Sequence, residues 1–167
     1  MKIGTKSLLF GAHQFLLHPI CVLLAWWRLY GFPLDPRIWI AALIHDWGYW
    51  GSPNIDGERG KQHPQWAAFV MWHLFGYKWY EFCLYHSRYW AKRHDRPMSK
   101  LCVADKLAFC FAPKWLYLPL IRLTGEIEEF LGNTPEIVTR DPDEWYDFIY
   151  ECSKKWETRK ADMNYGR

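Results

Sequence analysis

Apolar residues recur three and four positions apart along nearly the whole chain, and no alternation of apolar and polar residues lasts long enough for a strand. The pattern predicts an all-α protein. Helices are expected at Thr5–Leu17, Pro19–Tyr30, Pro36–Trp47, Pro64–Phe75, Trp79–Lys92, Ser99–Ala112, Lys114–Leu123, Glu126–Leu131 and Asp143–Thr158. Pro19, Pro36 and Pro64 suit first helical positions, where a missing N–H costs nothing. Asp35 and Ser99 suit N-caps, Gly31 with Pro33 closes the second helix, and Gly48 closes the third. No repeat, low-complexity tract or linker divides the sequence, so a single compact helical domain over residues 1–167 is expected.

The stretch from Leu8 to Trp27 is apolar enough to raise the question of a membrane span. Gly11, His13, Gln14, His18 and Pro19 interrupt it, whereas a spanning helix needs about twenty residues with few polar breaks. No clean cleavage site marks it as a signal peptide. A buried helix pair, with no membrane span, is the expectation.

Half the residues are hydrophobic and 23% are charged, which is globular composition. The twelve tryptophans are expected mainly in the core and in pocket walls. Cys21, Cys83, Cys102, Cys110 and Cys152 are odd in number and form no C-x-x-C pair, the pattern of buried thiols in a reducing, cytoplasmic setting. A net charge of +3 is too small for a nucleic-acid coat, and no stable nucleic-acid complex is expected. The basic residues are nevertheless grouped: Arg88, Lys92, Arg93, Arg96 and Lys100 face only Asp95, and Lys154, Lys155, Arg159 and Lys160 form a second group.

Two acidic positions stand out against apolar surroundings. Asp105 lies in a helix that is apolar nearly all round, and a buried carboxylate must meet a cation, a metal or several donors. His45 and Asp46 end the apolar run Ile40–Ile44, with Gly48 just beyond. Adjacent helical residues point about 100° apart, so such a pair shares one cation only at a helix end where other ligands converge.

The order His18, then His45-Asp46, then Asp105 resembles the H…HD…D signature of HD-domain proteins, in which two His and two Asp from separate helices hold one cation. His18 and His45 stand twenty-seven residues apart, enough for a helix, a turn and a second helix. LHPICVLLAWWRLYG and RIWIAALIHDWGYW resemble the family's first core helices, and VADKLAF resembles its last ligand helix. His63 in GKQHPQWAA and His86 in CLYHSR are similar to the extra pair of two-metal HD subfamilies, where the HD aspartate bridges both ions. His13 competes with His18 for the first-ligand place. The resemblance covers about residues 10–113, leaving about 114–160 as a helical extension. The chain lacks the long spacer and the GYP tripeptide of the cyclic-dinucleotide phosphodiesterase branch, which sets that branch aside. His73 and His94 have no supporting context.

The resemblance implies one or two divalent transition-metal ions on His18, His45, Asp46, His63, His86 and Asp105. Mixed imidazole and carboxylate donors favour Mn or Fe, with Ni, Co, Zn and Mg as further candidates. It also implies a phosphohydrolase or phosphodiesterase acting on a nucleotide or other small phosphate ester. Asp46 and Lys106 are the candidate catalytic residues, and His13, Arg59, Lys61, Arg88 and Lys92 the candidate anion-binding rim. Two other readings stay open: a di-iron oxygenase, as some HD relatives are, and a non-catalytic module that binds a nucleotide or a partner. A homo-oligomer is compatible with all three.

Overall fold

A computed structural model describes residues 1–136 and 140–159; Lys160, the last of the second basic group, lies outside them. Among the described residues the chain is all-α, with no strand. The helices are α1 (Ile3–Phe10), α2 (Leu17–Tyr30), α3 (Pro36–Ile44), α4 (Pro64–Phe75) and α5 (Tyr77–Leu84), then α6 (Arg88–Arg93), α7 (Lys100–Ala108), α8 (Lys114–Thr124), α9 (Glu126–Gly132) and α10 (Pro142–Thr158). Short 3₁₀ turns sit at Trp47–Tyr49, Gly60–Gln62 and Phe109–Phe111.

The main core lies where α2 runs along α7 and α4 along α5. Small residues make the close approach between helices: Ala25, Ala41, Ala67, Ala68 and Ala104 have no exposed surface. Larger side chains such as Leu29, Met71, Leu84 and Leu101 fill the space between them, each contributing about 1.5–3 kcal/mol on full burial. A second apolar cluster gathers Leu118, Ile121, Ile127, Trp145 and Tyr146, and it joins the first because α10 packs on α7, while α8 packs on α1. Caps hold the ligand-bearing helices in register: Asp35 accepts from Arg37 N at 3.0 Å, and Ser99 Oγ from Cys102 N at 3.3 Å.

Several expected boundaries move, each for a physical reason. The first helix stops at Phe10 instead of Leu17. A Cβ on Gly11 would fall 1.8 Å from Glu126 Oε2, so the chain turns there against a distant carboxylate. α2 starts at Leu17, which puts Pro19 in its first turn, where the N–H is still unneeded. The helix expected over Trp79–Lys92 is two helices, broken between Leu84 and Arg88. The expected third helix ends at Ile44, ahead of the His45-Asp46 pair.

Burial also departs from expectation. Trp27, Trp39, Trp72 and Trp115 are exposed rather than in the core, while Trp47, Trp50 and Trp66, also exposed, line the wall of a cavity as expected. The outer side of α2 shows Ile20, Leu24 and Trp27 to solvent, so the Leu8–Trp27 stretch is not a buried pair of helices. No helix among the described residues is long and apolar enough to cross a membrane. All five cysteines are unpaired, and burial pushes the Cys21 thiol up to about 11 and the Cys102 thiol to about 12.

Candidate metal centre

All the candidate ligands but Asp105 sit at a helix end or a break, where a side chain can leave its own helix and meet others. His18 is in the first turn of α2, and His45 and Asp46 follow the last turn of α3. His63 stands between the 3₁₀ turn at Gly60–Gln62 and α4, His86 lies in the break between α5 and α6, and Asp105 is carried by α7. The adjacent pair can therefore reach one centre, as it could not from within a straight helix.

Two groups form around Asp46. In the first, Asp46 Oδ2 lies 3.2 Å from His18 Nε2 and 3.1 Å from His45 Nε2. Asp105 Oδ1 closes this group at 3.0 Å from His18 Nε2 and 3.6 Å from His45 Nε2. In the second, Asp46 Oδ1 lies 3.4 Å from His63 Nε2 and 3.6 Å from His86 Nε2. Both groups bring one ligand atom per residue within 4.8 Å of one another. The carboxylate of Asp46 is thus shared, one oxygen to each group.

The hydrogen-bond pattern shows what these atoms are free to do. His45 Nδ1 bonds the Ala42 carbonyl at 2.8 Å, His63 Nδ1 the Gly60 carbonyl at 2.7 Å, and His86 Nδ1 the Cys83 carbonyl. A carbonyl only accepts, so each Nδ1 carries the hydrogen, and the neutral ring keeps a lone pair on Nε2. Backbone carbonyls commonly fix metal-ligating imidazoles in this way. Asp46 Oδ2 is buried with no hydrogen-bond partner among the described residues, although two imidazoles lie within 3.2 Å of it. A buried orphan oxygen is costly in the absence of a cation. The ligand atoms of each group converge within 4.8 Å of one another, and the set fits a divalent ion in each group.

In the metal-free protein the local charges follow from burial and from the carboxylates. Burial opposes a charged ring at His45, yet Asp46 and Asp105 outweigh it and raise the imidazole to about 10. His18 is raised by the same two carboxylates against the same penalty. Burial also opposes ionisation of Asp46 and Asp105, but His45 beside the first and Lys106 beside the second hold both well below the usual carboxylate range. His63 goes the other way: burial, with the charge of His86 acting in the same direction, holds it well below the usual histidine range despite Asp46.

Gly48 ties the two groups together, because a Cβ there would fall 2.0 Å from the His63 carbonyl oxygen. Tyr49 stacks on His63 with ring centres 4.0 Å apart. Lys106 Nζ is 2.7 Å from Asp105 Oδ2. Arg88 opens α6 two residues after His86 and is exposed. Lys61 is engaged with Glu58 at 3.0 Å, and Arg59 and Lys92 are exposed and make no ion pair among the described residues. Of the candidate rim, then, only His13 makes a ring contact with the ligands. His73 and His94 are exposed.

His13 stands outside the converging set, which contains His18. Its ring lies 5.6 Å from that of His18 and 4.7 Å from that of Tyr49. Behind it is a network absent from the sequence expectation. Ser7 Oγ donates to Glu126 Oε1 at 2.5 Å and lies 2.8 Å from His13 Nδ1. With its only hydrogen committed to the carboxylate, the Ser7 hydroxyl accepts from His13 Nδ1, and the His13 tautomer is set. Glu126 has no exposed surface and takes further bonds from Thr124 Oγ1 at 2.5 Å and Ala12 N at 3.1 Å. No local pattern separates Glu126 from Glu128 and Glu129, so its burial was not readable from the chain.

Comparison of the chain with models of protein families, with curated proteins and with solved structures finds no match.

Proposed function

We propose that the chain is an HD-type, metal-dependent hydrolase of phosphate esters, a phosphohydrolase or phosphodiesterase acting on a nucleotide or another small phosphate ester. The observation that carries this reading is the division of one buried carboxylate between two ligand groups, Asp46 Oδ2 facing His18 and His45, and Oδ1 facing His63 and His86. His18, His45, Asp46 and Asp105 would hold one ion, and Asp46, His63 and His86 a second. The mixed nitrogen and oxygen donors favour Mn or Fe.

Divalent ions held by these residues would supply Lewis acidity, lowering the pKa of water toward neutrality and offsetting charge on phosphoryl oxygens. The protein's own groups provide the rest. Lys106 keeps its charge beside Asp105, in position to attract a phosphoryl oxygen. His13, its Nδ1 hydrogen held by Ser7, keeps Nε2 free to accept or return a proton. Tyr49 covers one face of His63 and excludes water from it. Arg59, Lys61, Arg88 and Lys92 form an outer basic rim that steers an anionic substrate inward.

The test is metal content together with turnover. Protein purified without added metal or chelator should carry up to two transition-metal ions per chain by elemental analysis. Supplied with Mn or Fe, it should hydrolyse bis(4-nitrophenyl) phosphate or a member of a nucleotide panel, and Asp46→Ala should abolish that activity. Two bound iron ions, O₂ consumption and a silent phosphate panel would replace this reading with the oxygenase.

A further inference from the structure

Helices α2, α3 and α4 each turn a row of apolar side chains to solvent. On α2 the exposed positions Ile20, Leu24 and Trp27 lie three and four residues apart, on one side of the helix. On α3 the exposed apolar residues are Trp39 and Leu43, and on α4 they include Trp66, Phe69 and Trp72. Contacts between exposed rings join the α2 row to α3, and the 3₁₀ turn that follows α3 to α4. Trp27 meets Phe32 at 5.8 Å and Phe32 meets Trp39 at 5.9 Å, while Trp47 stacks on Trp66 at 5.8 Å with planes 16° apart. Monomeric soluble proteins rarely leave so large an apolar patch uncovered.

Three observations say what covers it. The exposed side chains are dominated by tryptophan, whose amphipathic ring is favoured at the level of lipid headgroups. A cavity of about 560 Å³ opens among Leu8, Leu9, Phe15, Trp47, Trp50 and Trp66, apolar on nearly every wall. An acyl chain would fill that cavity, whereas a flat self-complementary contact with a second copy would leave it empty. Finally, Lys2 and Lys6 of the α1 segment, which supplies Leu8 and Leu9 to the cavity, make no ion pair among the described residues. Arg28 and Arg37 at the far edge are held by Glu157 and Asp35. Of these four basic residues at the edges of the face, the two without an acidic partner therefore lie on the cavity side, where they complement anionic headgroups.

We propose that this face seats the protein on the surface of an anionic lipid bilayer, its indoles at headgroup level and the cavity receiving an acyl chain. The contact is one of lying on the membrane, since no described helix is long and apolar enough to cross it. The full chain should co-float with vesicles of phosphatidylcholine and phosphatidylglycerol, and more weakly with phosphatidylcholine alone. The double variant Leu24→Glu, Trp27→Glu, altered only at exposed positions, should need at least tenfold more lipid for half binding while keeping its helical circular dichroism. Lys2→Glu with Lys6→Glu should lose the preference for anionic vesicles and leave binding to neutral ones unchanged. Failure of the wild-type chain to float with either vesicle overturns the proposal. So does a lipid-free dimer, by light scattering, that the Leu24→Glu, Trp27→Glu variant splits, because the face would then belong to a second copy.

Discussion

His63 and His86 face each other Nε2 to Nε2 at 3.1 Å, while each Nδ1 is committed to a backbone carbonyl. Two lone pairs at that separation repel unless a cation or a proton lies between them. Burial disfavours a proton on His63, which leaves a metal ion as the better occupant. The proposed division of ligands then predicts stoichiometry. His63→Ala or His86→Ala should reduce bound metal from two ions to one, because the group around His18 is untouched. Asp46→Ala should deplete both positions. Elemental analysis of the three variants decides this, and two ions retained in Asp46→Ala would break the bridging role.

The raised imidazoles of the other group predict how metal binding responds to pH. His45 is raised to about 10, so in the metal-free protein it stays protonated through neutral pH, and the same two carboxylates raise His18 as well. An entering cation must displace the His45 proton. Affinity should therefore strengthen as the pH rises, by about tenfold per pH unit for each proton displaced. Titration calorimetry in two buffers of different ionisation enthalpy should register proton release of at least one per metal bound. The same shift has a second consequence for the metal-free fold. A raised folded pKa stabilises below the usual histidine range, and that contribution is lost as the pH climbs toward about 10.

Much of the scaffold was readable from the chain because its punctuation is local. Pro64 at the start and Gly76 after the end give α4 the bounds the sequence predicts. The six candidate ligands were suggested by the resemblance that their order carries, and their side chains converge in two groups that share Asp46. What escaped depends on residues far apart. The break at His86 is invisible in the apolar periodicity because Cys83 and Leu84 before it and Trp90 and Ala91 after it pack into the same core. The end of α1 depends on Glu126, over a hundred positions away. The exposed tryptophans escaped because α2 and α4 are apolar nearly all round, and periodicity then cannot say which stripe faces the core.

Gly11 and Glu126 give that long-range link a measurable strength. A methyl group at Gly11 would collide with Glu126 Oε2 and with Ser7 Cα, a contact with no flexible chain end to yield, because the carboxylate is bound on both oxygens. Gly11→Ala should destabilise the protein by about 1–3 kcal/mol in urea unfolding, the usual cost of overpacking. Glu126→Gln tests the charge. Burial opposes ionisation of Glu126, but the neighbouring His13 ring and hydrogen bonds from Ser7 and Thr124 hold its carboxyl below the usual glutamate range. A lowered folded pKa stabilises above the usual glutamate value, and that stability drains away as the pH falls toward the folded value. The wild type should thus lose more stability between neutral and acid pH than Glu126→Gln does.

Chelation tests whether the ligand cluster is occupied in the working protein. Ions that bind the folded chain alone stabilise it by mass action, by about 2.7 kcal/mol when free metal stands at a hundred times Kd. A chain of 167 residues shifts in Tm by about 2–4 °C for each kcal/mol. Removing the metal with EDTA should therefore lower Tm by about 5–10 °C, with recovery on adding Mn or Fe. Asp46→Ala, which has lost the carboxylate common to both groups, should show almost no response to either treatment. Equal melting with and without chelator in the wild type, in protein shown by elemental analysis to have held metal beforehand, would mean that the ions sit elsewhere than on these six side chains.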